Sequence, residues 1–95
     1  MTGAVKAAGT RFIRFRSVWV DERFEAETEI VSVKFGSAAY FKLIEKKSAL
    51  IEALKIGSDV VVVTAKGKAL AVSGAGLEEI TDEQVQQLFT AVETK

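Results

Sequence analysis

Hydrophobic and polar residues alternate along the first third of the chain, which is the pattern of β-strands that bury one face. The alternation runs over 10–20 and again over 24–35, and residues 21–22 between them suit a tight turn. In this register Arg16 lies opposite Glu27 and Arg14 lies opposite Glu29, so opposite charges meet at both pairs. The sequence therefore predicts an antiparallel hairpin with Ile13 and Phe15 on an apolar core face and Phe12 on the opposite, charged face.

The segment 37–55 fits two structures. It is either one long helix capped by Ser37, or a third strand followed by a short helix that Ser48 caps. Gly36 suits a tight hairpin turn because glycine adopts positive φ readily. A single long helix would also place Lys47 in an otherwise apolar stripe. We therefore expect a third strand and then a short helix.

A run of four valines lies within the next predicted strand, 59–65. A continuous apolar run is typical of a strand that is covered on both faces. Residues 66–67 suit the turn into a partner strand at 68–73, in which Leu70 lies opposite Val63. This hairpin is expected at the centre of the sheet.

The C-terminal segment carries the clearest helix signal. Thr81 and Gln84 have the spacing of a capping box, in which each side chain bonds the backbone N–H of the other residue. The connector at 73–76, Ser-Gly-Ala-Gly, is expected to be flexible. Apolar residues then recur at helical spacing on one face: Val85, Leu88, Phe89 and Val92.

The predicted order is β-β-β-α-β-β-α. It indicates an α+β fold with a mainly antiparallel five-stranded sheet or a partly open barrel, and a C-terminal amphipathic helix. Residues 1–9 lack periodicity and are expected to form a flexible N-terminal tail. Residues 10–95 are expected to form a single domain, since this length suits one small core.

Composition narrows the range of functions. The chain has 13 basic and 13 acidic residues, so no net charge attracts nucleic acid from a distance. It has no histidine and no cysteine, which removes the commonest general base, the thiol nucleophile and the commonest metal ligands. We expect no catalytic activity, no cofactor and no metal. No apolar run suits a signal peptide or a bilayer span, so we expect a cytoplasmic protein with no membrane partner.

The first candidate binding surface is apolar and consists of one face of the sheet and one face of the terminal helix. Its predicted residues are Phe12, Val31, Val33, Phe35, Tyr40, Val85, Leu88, Phe89 and Val92. Large apolar patches on small proteins usually mark contacts. The primary hypothesis is a non-catalytic protein–protein interaction or assembly module. It forms a homo-oligomer through the outer face of the sheet or through the C-terminal helix. The terminal helix also suits packing within its own chain, and the sequence leaves both arrangements open.

The second candidate surface is basic and aromatic. Its residues are Phe12, Arg14, Tyr40, Lys42, Lys46 and Lys47. A basic groove with exposed rings is the usual site for single-stranded DNA or RNA, and a five-stranded oligonucleotide-binding barrel has a compatible strand order. An acidic row on the same predicted face opposes a phosphate backbone, at Glu25, Glu27 and Glu29. Nucleic-acid binding is therefore the alternative hypothesis.

Overall fold

The computed structural model describes residues 4–7, 9–48 and 50–90. The strands in these ranges are β1 (Ala4–Ala7), β2 (Thr10–Phe15), β3 (Val18–Asp21), β4 (Glu29–Lys34), β5 (Val60–Ala65) and β6 (Lys68–Ser73). The helices are α1 (Ala38–Lys46), α2 (Leu50–Leu54) and α3 (Asp82–Leu88).

The strands form one six-stranded mixed sheet in the order β1-β2-β3-β5-β6-β4. Strands β3 and β5 are parallel, as are β4 and β6, and the other neighbouring pairs are antiparallel. The sheet is open, with β1 and β4 at its edges. The α+β class is confirmed, whereas the expected five mainly antiparallel strands become six with two parallel pairs. Strand β1 lies within the predicted N-terminal tail, so residues 4–7 differ from that expectation.

The first hairpin turns earlier than predicted. Arg16 and Ser17 both have positive φ, 51° and 69°, which is the geometry of a two-residue turn that matches the twist of antiparallel strands. Phe15 therefore lies opposite Val18, and the predicted pair of Arg16 with Glu27 does not form. The prediction was wrong because no glycine or asparagine marks this turn.

The segment predicted as a third strand is helix α1. The Ser37 side chain caps it by accepting a hydrogen bond from the backbone N–H of Tyr40 at 3.3 Å. The helix ends before Lys47, so this lysine never interrupts the apolar stripe. Ala39 and Leu43 are buried against the sheet. The cap was the correct signal, and the glycine turn was given too much weight.

Strands β5 and β6 form the predicted hairpin at the centre of the sheet, with its turn at residues 66–67. Val63 lies opposite Ala69 and not Leu70, because a bulge at Thr64 adds one residue to β5. Side chains alternate between the two faces of a strand, so this shift exchanges the partners on both faces. The even-numbered valines of β5 consequently join Leu70 on the face that the helices cover.

Helix α3 begins with the predicted capping box. The backbone N–H of Thr81 donates to Gln84 Oε1 at 2.9 Å, and the backbone N–H of Gln84 donates to Thr81 Oγ1 at 3.1 Å. Val85 and Leu88 are buried in the core of their own chain. All three helices lie on one face of the sheet, α1 against β4, α2 against β5 and α3 against β6.

Candidate functional site

An apolar row crosses the face of the sheet opposite the helices. Val61 of β5 lies beside Val20 of β3 and opposite Ala71 of β6, while Val20 lies opposite Ile13 of β2. These four residues do not belong to the core cluster beneath the helices. The middle of the sheet therefore presents four adjacent strands with apolar side chains, and no helix of the described residues lies above them.

Further apolar residues extend this row toward both ends of the strands. Val63, Ala69 and Ile30 are consecutive partners at one end, and Phe15 faces Val18 at the other. Phe15 is 64% exposed and Ile30 is 47% exposed, whereas the others are half-buried except Ala69, which lies on this face but is fully buried. We call this set the open face. It consists of Ile13, Phe15, Val18, Val20, Ile30, Val61, Val63, Ala69 and Ala71.

The amino acids of β5 explain why the open face is unusual. Val60 and Val62 are buried beneath the helices, as a strand with one covered face requires. A strand whose other face meets water normally carries polar residues at the alternate positions. Here those positions are Val61 and Val63, which remain half-exposed. The sequence of β5 is thus that of a strand covered on both faces, although the helices in the described part of the chain cover only one.

Charged side chains lie at the rim of the open face. Lys6 and Arg11 are partners at the β1–β2 end, and the backbone N–H of Glu22 donates to the carbonyl of Arg11 at 3.0 Å. Lys34 ends β4 at the opposite edge, and Asp59 directly precedes β5. The rim therefore carries both signs of charge around an apolar centre.

A buried carboxylate holds β3 against β5 on the helix-covered face, where Asp21 lies opposite Phe12. Asp21 is 1% exposed. Its oxygens accept hydrogen bonds from the Arg23 side chain at 2.7 and 3.0 Å, from the Arg23 backbone N–H at 2.8 Å, and from the Val63 backbone N–H at 2.9 Å. Burial raises the pKa of Asp21, but these hydrogen bonds and the guanidinium charge outweigh it and lower the pKa below its ordinary value. The same hydrogen bond raises the pKa of Arg23.

Sequence reasoning missed this anchor because it placed residues 21–22 in a hairpin turn. The available signal was an acidic residue at the end of an apolar strand, followed two positions later by arginine. An acidic residue at such a position has a charge partner within reach, so it need not lie in solvent.

The residues predicted for the apolar interface do not form one surface. Four are buried in the core beneath the helices, Phe12, Val33, Val85 and Leu88. Three are partly buried against that core, Val31, Tyr40 and Phe89. Phe35 is exposed and its ring centroid lies 5.0 Å from that of Tyr40, which in turn lies 5.3 Å from that of Phe41. Val92 lies outside the described residues.

A one-residue error explains this scatter. The predicted hairpin assigned Ile13 and Phe15 to the core and Phe12 to the outer face, and the structure has the reverse. Because the side-chain period of a strand is two residues, a register error moves every side chain to the other face.

The residues predicted for nucleic acid separate into two groups. Phe12, Lys46 and Lys47 line a cavity of about 490 Å³ on the helix side of the sheet. Lys42 instead forms an ion pair with Asp82 at 2.9 Å, and this hydrogen bond lowers the pKa of Asp82. Arg14 and Tyr40 do not line that cavity.

Among the described residues, no helix is both long and apolar enough to span a bilayer. The described parts of the chain also contain no group of three or more histidine, cysteine or acidic residues positioned to hold a metal ion. No known protein family matches this chain, and comparisons with curated proteins and with solved structures also find no match.

Proposed function

We propose that this protein is a non-catalytic assembly module that self-associates by packing the open face of its sheet against that of a second copy. The observation that carries the proposal is the apolar row formed by Ile13, Val20, Val61 and Ala71. Two sheets that pack face to face place their apolar side chains in a shared core about 10 Å thick. The row occupies the centre of such a core.

The charges at the rim support a second copy as the partner. Two identical faces oppose each other without net repulsion when each carries both signs, as Lys6 and Arg11 do with Glu22 and Asp59. The chain has no net charge, so approach of one copy to another meets no global electrostatic barrier. A strongly acidic or strongly basic partner gains little from a rim of this kind.

The terminal helix is less suited to association. Val85 and Leu88 are buried in their own chain, and Thr64 Oγ1 donates a hydrogen bond to the carbonyl of Leu88 at 2.6 Å. Using these side chains for a partner requires the helix to leave the sheet. The open face needs no such change, so we assign the contact to it.

The absence of histidine and cysteine from the sequence supports a non-catalytic role. The assembly itself is then the function of the domain, either alone or as the part of a larger complex that brings copies together.

Light scattering with and without a mixed-sequence single-stranded oligonucleotide tests this function against the alternative. We expect an oligomer whose mass does not change with oligonucleotide and does not fall between low and moderate salt, because apolar contacts are insensitive to screening. A monomer that gains mass with oligonucleotide and loses it as salt rises would contradict the proposal and support nucleic-acid binding.

A further inference from the structure

The two edges of the sheet differ in what covers them. At the β4 edge, the connector after β6 supplies a backbone partner. The Lys34 N–H donates to the carbonyl of Leu77, and the Leu77 N–H donates to the carbonyl of Ser32, both at 2.9 Å. At the β1 edge, no backbone group of the described residues bonds the outer side of the strand. Within the described ranges, the chain therefore covers one edge of its sheet and leaves the other exposed.

The register of β1 shows which backbone groups lie along the exposed edge. The carbonyl of Arg11 accepts a hydrogen bond from the Glu22 N–H at 3.0 Å, so the backbone groups of Arg11 point toward β3 and away from β1. Lys6 lies opposite Arg11 in a pair that is therefore not hydrogen-bonded, so the N–H and C=O of Lys6 point away from β2. The same holds for Ala4, two residues earlier. Both residues present a donor and an acceptor to a further strand.

The side chains along this edge differ between the two faces of the sheet. Val5 pairs with the buried Phe12 on the helix side and is itself 37% exposed. Lys6 and Arg11 lie side by side on the other face, and neither forms an ion pair with a described residue. They border a cavity of about 430 Å³, which Glu22 also lines from the side of Arg11 away from β1. The outermost charge on this face is thus the ammonium group of Lys6.

We propose that the β1 edge binds an extended acidic segment of a partner protein as one further strand of the sheet. The segment pairs antiparallel with β1, and its backbone bonds the outward groups of Ala4 and Lys6. An acidic side chain opposite Lys6 forms an opposite-charge pair, and the apolar residue that follows it packs against Val5. The contact lies at the edge of the sheet, so it leaves the open face uncovered.

The charge of this edge disfavours a second copy of the chain as the added strand. Two β1 strands paired with each other would bring together edges that each carry Lys6 and Arg11, and like charges on neighbouring strands are destabilising. Lysine on an edge strand commonly prevents the pairing of identical edges. The same lysine attracts a strand of opposite charge, so it selects the partner.

NMR titration with the end-blocked peptide Thr-Val-Glu-Val-Glu-Val-Thr tests the proposal. We expect saturable binding that slows hydrogen exchange of the Lys6 amide, because this N–H gains an acceptor. Lys6→Glu should weaken binding at least about fivefold, since it replaces an attractive facing pair with a repulsive one. Lys34→Glu makes the same change on the covered β4 edge, and its affinity for the peptide should stay within about twofold of that of the wild type.

Two further peptides separate strand pairing from charge attraction alone. Methylation of the backbone nitrogen of both glutamates keeps the charge of the peptide and removes the donors that face β1, so this peptide should not bind saturably. The peptide with lysine in place of both glutamates should bind Lys6→Glu more tightly than it binds the wild type, because the facing charges are then opposite again.

Four outcomes would overturn the inference. They are the absence of saturable binding, equal weakening by Lys6→Glu and Lys34→Glu, unchanged binding of the methylated peptide, and slower exchange at Lys6 when the concentration of the protein alone is raised. The last would place a second copy at the edge. Phe15→Glu alters the open face and should bind the peptide within about twofold of the wild type, because its charge is screened over the distance to β1. This inference and the proposed function therefore fail independently.

Discussion

Asp21 stabilises the register between β3 and β5, because its side chain in β3 accepts a hydrogen bond from the backbone of Val63 in β5. A buried carboxylate is costly unless its oxygens are bonded and its charge is paired. Asp21 meets both conditions with the guanidinium of Arg23 and the backbone N–H groups of Arg23 and Val63. Losing its charge weakens all of these bonds together.

The variant Asp21→Asn should lower the free energy of unfolding at neutral pH by about 2–4 kcal/mol, because it weakens a buried ion pair and leaves one donor without a partner. Urea unfolding measures this loss. The exposed neighbour provides a control, since Glu22→Gln should change stability by less than about 0.5 kcal/mol. Equal stabilities for the two variants would show that Asp21 is not an anchor.

The same carboxylate makes an acid-sensitive contribution to stability. Its pKa is lower in the folded chain than the ordinary value of 3.8, so the stabilisation is complete above that value and is lost as pH falls through the lowered pKa. The wild type should therefore lose stability below about pH 4 more steeply than Asp21→Asn. Unfolding curves recorded from pH 5 to pH 2 measure this difference, and parallel curves would rule out a lowered pKa.

Gly76 is required where the connector after β6 lies against β4. A Cβ atom at Gly76 would lie 2.9 Å from backbone atoms of Ser32 and Val33, and φ there is 139°. We expect Gly76→Ala to cost about 1–3 kcal/mol. A Cβ atom added at Gly74 would meet no other atom within 4 Å. Gly74→Ala should therefore be neutral or stabilising by up to about 1 kcal/mol. Thermal unfolding of both variants measures the contrast, which would be absent if the connector were as loose as its composition indicates.

At the scale of elements, the cap of α3 should contribute measurably to stability. Thr81→Ala removes the hydroxyl that accepts the Gln84 N–H, and we expect a loss of about 1 kcal/mol. Gln87→Ala, on the exposed side of the same helix, serves as the control and should stay within about 0.5 kcal/mol. Urea unfolding of both variants measures this difference, and a Thr81→Ala variant as stable as the control would mean that the helix does not depend on its cap.

Elements set by neighbouring residues could be predicted from the sequence, whereas those set by distant contacts could not. The capping box of α3 and the turn at 66–67 depend on a few adjacent residues, and both were predicted correctly. The parallel pairing of β4 with β6 depends on residues far apart in the chain. Nothing near β4 specifies that it lies at the far edge of the sheet.

The sequence did not predict the candidate site because the strand register was wrong. The composition of the strands was read correctly. The alternation in 10–20 was recognised, but a turn at Arg16 and Ser17 without glycine was not, and the pairing that followed placed Phe12 on the wrong face. The valine run of β5 was the better guide. It predicted a strand covered on both faces, and in residues 4–7, 9–48 and 50–90 helices cover only one.

At the scale of the whole molecule, the residues that the structure describes form two layers, with three helices on one face of a six-stranded sheet. A small domain of this kind usually makes its second sheet face polar, because that face meets water. Here the face carries nine apolar residues, eight of which are exposed or half-buried, with charged residues at its rim. The proposed packing of two copies through this face would give a symmetric assembly in which the sheets are covered on both sides.

Two phenylalanines allow a matched test of the open face. Phe15 is 64% exposed and belongs to the open face, while Phe41 is 60% exposed and lies on α1, on the other side of the sheet. The changes Phe15→Glu and Phe41→Glu introduce the same charge in place of the same ring. A difference in self-association between the two variants therefore shows which surface makes the contact, because the chemical change is the same in both.

Sedimentation equilibrium of the wild type and these two variants over a wide concentration range is the most direct measurement. We predict that the wild type and Phe41→Glu reach twice the chain mass of 10.3 kDa. Phe15→Glu should require at least about tenfold higher concentration to do so, because the dimer would bury a carboxylate within its apolar contact. A wild type that stays at 10.3 kDa at every concentration, or a dimer that Phe41→Glu weakens as much as Phe15→Glu, would contradict assembly through the open face.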